Sequence, residues 1–318
     1  MLGYIGKRLL LFIPSLILVT IIVFLLIRFI PGNAIDQIVS EASLQGVEVD
    51  RATITHELGL DVPIHIQYFR WIGKIVLHGD FGQSLMTGQS VTQEVLGRIP
   101  VTVELGILGL IIGTLFGLFI GIFSAMRQDT LGDYVGRIIS ILMISIPGFW
   151  LASVIIIYPA IWWNWTPPVE YIGLLSDPIK NLSILLLPAT ILGLTMAGMT
   201  MRMTRTLMLE VLRQDYVRTA WAKGLKERTV ITRHALQNAL IPIITLIGGG
   251  LPVLIGGSVI IEQIFAIPGM GRLLLGTIQS RDYPFVSAIN LIFAIFVMGS
   301  NLLIDIMYSW IDPRVRYR

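Results

Sequence analysis

Six apolar stretches dominate this sequence of 318 residues, and each is about as long as a membrane span. A helix that crosses a hydrocarbon core about 30 Å thick needs roughly 20 largely apolar residues. The six stretches cover residues 9–30, 102–126, 138–160, 184–201, 243–261 and 285–304. Because 54% of the residues are hydrophobic and only 14% are charged, the composition is far more apolar than that of a soluble domain. The sequence therefore predicts an all-α polytopic membrane protein with six transmembrane helices.

The first and fourth stretches are the least regular of the six. The first follows Lys7 and Arg8, but it is longer than the apolar core of a signal peptide and no small-residue cleavage pattern precedes Ile30. We expect it to be a retained span. The fourth is short and contains Pro188, yet it carries no charge. Proline and glycine inside a span, as at Pro147-Gly148, are tolerated where neighbouring helices satisfy the freed backbone groups.

The distribution of basic residues predicts the orientation of the chain. With the N-terminus inside, the cytoplasmic segments hold fifteen of the 23 Lys and Arg residues. Most of the others lie in or beside segment 31–101, which is long enough for the positive-inside rule to lose force. Both termini are therefore predicted to be cytoplasmic. The predicted organisation is a first helix with a long external loop (1–100), a five-helix core (101–310) and a short basic cytoplasmic tail (311–318).

Several classes of function lack the residues that they need. The absence of cysteine excludes disulfides, thiolate metal sites and cysteine nucleophiles. Neither a phosphate-binding Gly-x4-Gly-Lys-[Ser/Thr] loop nor a zinc-protease His-Glu-x-x-His motif occurs, and the four histidines are scattered. A formal charge of +3 is too small to indicate a nucleic-acid-binding protein. We expect a chain that is not an enzyme and that holds neither metal nor cofactor.

The predicted cytoplasmic segment 202–241 is too long and too ordered for a simple connector. Between residues 206 and 223, Leu212, Tyr216 and Ala220 recur with the spacing of one helical face, and Gly224 is a typical helix stop. A second helical stretch is predicted over residues 227–240. Two helices are thus expected to meet at a glycine elbow that faces the cytoplasm.

The sequence reads DYVRTAWAKGL at residues 215–225 and RHALQNALIP at residues 233–242. These motifs resemble the cytoplasmic signature of permease subunits of bacterial ATP-binding cassette (ABC) importers, above all the dipeptide and oligopeptide branch with its nickel and glutathione systems. The general family has Glu-Ala-Ala before the glycine, whereas this chain has Arg218-Thr219-Ala220, as is usual in the peptide branch. The resemblance implies a coupling helix that inserts into a groove of a partner ATPase. The coupling residues implied are Asp215, Tyr216, Arg218, Thr219, Ala220, Lys223, Gly224 and Leu225.

Further motifs extend the resemblance over nearly the whole chain. They are ELGLD at 57–61, GDFG at 79–82, RIPVTVEL at 98–105, EQIFAIPGMGR at 262–272 and RDYP at 281–284. The last two are similar to a segment that, in this branch, re-enters toward the translocation path on the external side. The re-entrant residues implied are Phe265, Pro268, Gly269, Gly271, Arg281 and Asp282.

The resemblance implies a type I ABC-importer permease fold and a set of partners. These are a second permease subunit across a pseudo-two-fold axis, two ATPase subunits that hold ATP and Mg, and an extracytoplasmic solute-binding protein. The solutes that it allows are dipeptides, oligopeptides, glutathione and nickel chelates. Two other hypotheses compete with it: the basic loop only enforces topology, or the chain is a stand-alone secondary transporter or channel. A secondary carrier is expected to show internal repeats and ionisable residues at mid-span, which this sequence lacks.

Overall fold

The computed structural model describes residues 2–29, 39, 55, 61–168 and 170–311. These residues form helices and, apart from one isolated antiparallel bridge between Gln83 and Ser90, no β structure. In chain order the helices are α1 (Leu2–Phe29), α2 (Ile64–His78), α3 (Val91–Met126), α4 (Leu131–Ser145), α5 (Gly148–Trp163), α6 (Pro178–Leu212), α7 (Asp215–Ala222), α8 (Gln237–Ile264), α9 (Met270–Gln279) and α10 (Tyr283–Ile311). Between α7 and α8 lie one helical turn, Glu227–Thr229, and a π-helical stretch, Val230–Leu236. The predicted all-α architecture is confirmed.

Five helices, α1, α3, α6, α8 and α10, are long and apolar enough to cross a membrane. Helices α4 and α5 make a sixth span only if they are taken together, because they meet at a bend of 93°. The predicted span over 138–160 is therefore broken near Pro147, and the count of six spans is accommodated. The break lies at Ile146, whose backbone is extended (φ −83°, ψ 119°). A proline disfavours helical geometry in the residue before it, so Pro147 ends α4 and opens α5.

Helices α3 and α6 form the centre of the bundle. Glycines recur every fourth residue along the buried side of α3, and the backbone of α6 lies directly against them. The stripe consists of Gly109, Gly113, Gly117 and Gly121. Small residues allow helix backbones to approach closely in a membrane, where dispersion rather than the hydrophobic effect drives helix association.

The bundle has two ends that differ in what they carry. We call the end with residues 127–130 and 213–236 the elbow face, and the end with residues 79–90, 164–177 and 265–282 the loop face. Arg8 and Asp305 form an ion pair of 3.0 Å, which places the first and last spans antiparallel with residues 8 and 305 at the elbow face. The cytoplasmic orientation of that face stays a prediction.

Some predicted features lie outside the described residues. They include residues 57–60 of the ELGLD motif, the end of the first predicted span at Ile30, and residues 312–318 of the basic tail. The GDFG motif is described: Gly79 ends α2 with φ +64°, and Gly82 adopts φ +95°, as expected for turn residues.

Candidate functional site

The elbow is a separate short helix rather than the end of a long one. Helix α6 continues to Leu212, the chain turns at residues 213–214, and α7 begins at Asp215. The prediction of a single helical stretch over 206–223 is therefore wrong. The C-terminal end of the stretch was predicted correctly. Gly224 adopts φ +74°, and its N–H donates to the carbonyl of Trp221. Left-handed backbone of this kind favours glycine.

One side of α7 is buried against its neighbours. Val217 and Ala220 are 0% and 5% exposed, and they pack with Val230 and with Val211 and Leu212 at the end of α6. The predicted face of Leu212, Tyr216 and Ala220 is thus rotated from the observed one, because Tyr216 points outward. The buried side fixes α7 to two elements at once.

The other side of α7 presents aromatic and charged side chains to solvent. Tyr216, Trp221 and Leu225 are 45%, 44% and 38% exposed. Arg218 and Asp215 form an exposed ion pair of 3.5 Å. Exposed aromatic side chains surrounded by charge are typical of protein–protein contact sites. We call this surface, formed by Asp215, Tyr216, Arg218, Trp221 and Leu225, the elbow surface. All of these residues except Trp221 are among the coupling residues that the sequence motifs implied.

The elbow is joined rigidly to a membrane span. Val230, Ile231 and Ala235 of the π-helical stretch are buried, and the chain then continues without a break into α8. Asn238, in the first turn of α8, donates to the hydroxyl of Tyr216 at 3.0 Å. The second predicted stretch, 227–240, is therefore the start of the α8 rod rather than a separate helix. These contacts connect α7 to the start of α8.

A buried ion pair lies next to the elbow on the same face. Arg205 donates from Nε and Nη2 to the two carboxylate oxygens of Asp133, each at 2.7 Å. Asp133 also accepts from Ser124 and from the backbone N–H of Asp129, and its side chain is fully buried. The pair ties the α3–α4 turn to α6. From the sequence, Arg205 was expected only as one of the basic residues that set the topology, and Asp133 was not predicted, although an acidic residue in a predicted inside segment was a usable signal.

The predicted re-entrant segment is held at the loop face by Glu262. This carboxylate, fully buried at the end of α8, accepts from Thr102 of α3 at 2.7 Å and from the backbone N–H of Arg272 at 3.0 Å. The N–H of Met270 donates to Thr102 in turn, so Thr102 bridges α3 to the first turn of α9. A Cβ on Gly269 would lie 2.3 Å from the Glu262 carboxyl carbon, which explains the glycine there.

The remaining predicted residues of this segment have mixed surroundings. Phe265 is buried in the core cluster of α3, α5, α6 and α8, and Pro268 is half-buried. Gly271 lies against the backbone of Val259, and Arg281 adopts φ +54°. Asp282 is buried and binds the 79–90 turn. Its carboxylate accepts hydrogen bonds from Ser84 Oγ at 2.5 Å and from the N–H of Leu85 at 3.1 Å.

A second polar contact at the loop face joins the loop between α5 and α6 to α3. Tyr171 donates to Glu104 at 2.7 Å, and Asn181 donates to the same oxygen at 3.1 Å. Burial, reinforced by the Glu104 carboxylate, raises the pKa of the Tyr171 hydroxyl. The hydroxyl therefore stays protonated and keeps donating. Within the described ranges, His, Asp and Glu side chains do not gather in a group that could hold a metal ion.

Comparison with known proteins shows which family this chain belongs to. The family described as "Binding-protein-dependent transport system inner membrane component" matches residues 117–317, and the corresponding N-terminal family matches residues 1–106. The chain belongs to this family. A Brucella abortus protein whose name describes a peptide transport system permease is 40% identical over 312 residues, which is 98% of each chain.

Other relatives of the permease also carry names that describe transport system permeases. The glutathione transport system permease protein GsiC of Salmonella paratyphi A and the oligopeptide transport system permease protein AppB of Bacillus subtilis are each 37% identical, with 100% of both chains covered. The crystal structure of an amino acid ABC transporter with histidines shares the fold, with a TM-score of 0.52, 14% identity and coverage of 69% of this chain and 94% of that one.

These matches confirm the predicted family, fold and multi-pass inner-membrane location. The permease is the non-catalytic membrane component of an ABC importer of the dipeptide and oligopeptide branch. The family does not support the competing hypothesis of a stand-alone transporter or channel.

Proposed function

We propose that this permease forms half of a translocation path for peptides or related small solutes, and that the elbow surface couples it to partner ATPase subunits. The solute class rests on the relatives, whose names describe peptide, glutathione and oligopeptide transport. The coupling role rests on one structural observation: α7 exposes an aromatic and charged surface while its opposite side packs on the end of α6 and on the π-helical stretch that leads into α8.

A groove along the spans supports the path. It has a volume of about 330 Å³ and lies between the start of α5, α6 and α8. Its walls include Phe149, Met199, Val253 and Ile260, and Thr195 supplies the single polar side chain among the described residues that line it. A wall without charged groups cannot form ion pairs with particular groups of a peptide. Selection among solutes is thus left to an extracytoplasmic binding protein, and a second permease subunit supplies the other half of the path.

The ATP chemistry belongs to other chains. ATP and Mg are placed on two ATPase subunits, since the sequence has no phosphate-binding loop. The elbow surface offers them Tyr216 and Trp221 as anchors and Arg218 and Lys223 as charged partners. Closure of the ATPases then displaces α7, and the continuous π-helical stretch carries this displacement into α8.

Reversal of two elbow charges is expected to uncouple transport from ATP hydrolysis. We expect Arg218→Glu/Lys223→Glu to lower ATP-driven solute uptake at least roughly tenfold, the loss that about 1.4 kcal/mol of interface free energy produces. The measurement is peptide uptake and ATPase activity of the complete complex in proteoliposomes. The matched control, Arg127→Glu/Arg202→Glu, reverses the same number of charges at two exposed positions outside the elbow surface. Equal losses in both variants would show that the basic residues serve only topology.

A backbone substitution tests the elbow independently of charge. Gly224→Pro is expected to abolish coupling, because the proline ring fixes φ near −65° whereas Gly224 adopts φ +74°. Gly224→Asn is expected to retain most of it, because asparagine visits the left-handed region and the space around Gly224 is open for a Cβ. Both variants are assayed for ATPase activity, uptake and thermal unfolding. If Gly224→Pro unfolds with wild-type stability and transports normally, the elbow geometry does not matter for coupling.

A further inference from the structure

Helix α2 stands apart from the permease mechanism. Its sequence, IHIQYFRWIGKIVLH, contains no acidic residue and includes the basic residues Arg70 and Lys74. None of its residues is buried, although nine of its fifteen side chains are apolar or aromatic. A helix with this composition does not cross a membrane and is poorly suited to lie free in water.

The contacts of α2 set its depth. Tyr68 and Trp71 pack on the ring of Phe24 with centroid distances of 5.3 and 5.6 Å, and the Tyr68 and Thr20 hydroxyls are 2.8 Å apart. Thr20 lies six residues before the end of the apolar span Arg8–Leu26. At a rise of 1.5 Å per residue, α2 therefore sits about 9 Å below the end of that span. This is the level of the outer acyl chains and the headgroup boundary.

The side of α2 that faces away from Phe24 is apolar and uncovered. Ile66, Phe69, Val76 and Leu77 are 36%, 67%, 72% and 76% exposed. Leu18 and Leu26, on the same part of α1 as Thr20 and Phe24, are also 58% and 56% exposed. A surface of this kind at this depth contacts lipid in a membrane protein.

A basic strip borders the apolar surface. Arg70, Lys74 and His78 follow one another at four-residue intervals, the spacing of one helical face. No carboxylate of the described residues forms an ion pair with Arg70 or Lys74, and both side chains are exposed. Basic side chains at the edge of an apolar face reach the headgroups with their charged ends while their stems stay in the apolar region.

We propose that α2 lies in the membrane–water boundary at the loop face, with Ile66, Phe69, Val76 and Leu77 in the acyl region and Arg70 and Lys74 bound to anionic phospholipid headgroups. This arrangement fastens the middle of the long segment 31–101 to the bilayer. It depends on the chain being a membrane protein and not on the solute or on the elbow.

Labelling of single cysteines tests the acyl contact, and the cysteine-free sequence makes each label unique. Phe69→Cys and Val76→Cys are labelled with an environment-sensitive fluorophore in the full chain, reconstituted in phosphatidylcholine/phosphatidylglycerol nanodiscs. The control is Leu175→Cys, 99% exposed in a loop of the same face. We expect doxyl-lipid to quench the α2 labels and aqueous iodide to quench the Leu175 label. Iodide quenching of the α2 labels would overturn the proposal, and so would resistance to both quenchers, which indicates a covering protein.

Lipid retention tests the headgroup contact. The variant Arg70→Gln/Lys74→Gln is compared with Arg98→Gln/Lys180→Gln, which removes the same charge from paired residues of the same face. We expect the ratio of phosphatidylglycerol to phosphatidylcholine retained by the purified chain, measured by native mass spectrometry, to fall roughly fivefold or more in the first variant only. Equal ratios in both variants would overturn the binding of anionic headgroups.

Discussion

Alanine at Gly113, Gly117 and Gly121 together is expected to unfold or separate the α3–α6 pair, whereas alanine at Gly106 of the same helix is expected to be tolerated. A Cβ at these three positions would lie 2.7 Å from the Gly193 carbonyl oxygen, 2.6 Å from the Thr200 Cβ and 2.7 Å from the Thr204 Cβ, respectively. At Gly106 it would meet nothing within 4 Å. All four glycines are buried, so only the close approach of α6 distinguishes them.

The size of this effect follows from two opposing contributions. Each alanine gains about 1 kcal/mol of helix propensity over glycine. Overpacking costs about 1–3 kcal/mol at each of the three close positions, because backbone and β-carbon atoms of α6 cannot swing aside as the tip of a long side chain can. We expect the triple variant to lose up to about 6 kcal/mol of stability and Gly106→Ala to gain up to about 1 kcal/mol. Thermal unfolding in detergent measures both. A triple variant as stable as Gly106→Ala would contradict close packing of α3 on α6.

Removal of the Asp133 carboxylate is expected to have the second large effect. Asp133→Ala leaves the Arg205 guanidinium, only 17% exposed, without its two hydrogen bonds. Loss of one partner of a buried ion pair costs about 3–5 kcal/mol, since the other charge stays desolvated and unpaired. We expect Asp133→Ala to lower the melting temperature strongly and to reduce the yield of folded permease.

Two comparisons isolate the buried pair as the cause. Asp305→Ala breaks the partly exposed pair with Arg8, for which about 0–1 kcal/mol is expected. The double variant Asp133→Leu/Arg205→Met removes both buried charges, and we expect it to recover most of the stability that Asp133→Ala loses. If Asp133→Ala is no more harmful than Asp305→Ala, the Asp133–Arg205 pair does not hold α3, α4 and α6 together.

Much of the architecture followed from local sequence. Apolar length alone located α1, α3, α6, α8 and α10, because a bilayer imposes a minimum length on each span. The position of the elbow also followed, since Gly224 ends α7 whatever lies around it. The family motifs implied a coupling role for one of these stretches and a re-entrant segment at residues 262–284.

The details of the elbow and of the third span depended on neighbouring helices. Sequence spacing grouped Tyr216 with Ala220, but packing against Val230 turned Val217 inward and left Tyr216 exposed. Pro147 was compatible with either a kinked span or a break, and only the structure shows the bend of 93° between α4 and α5.

The sequence by itself determined the number of spans, the family and the position of the elbow, because these depend on apolar length, turn residues and contiguous motifs. Only the tertiary structure joined Asp133 to Arg205, 72 residues apart, and Thr102 to Glu262, 160 residues apart. It also placed α2 against Thr20 and Phe24. Such pairs are selected by how helices cross and at what depth they pack, and no periodicity along one segment records that choice.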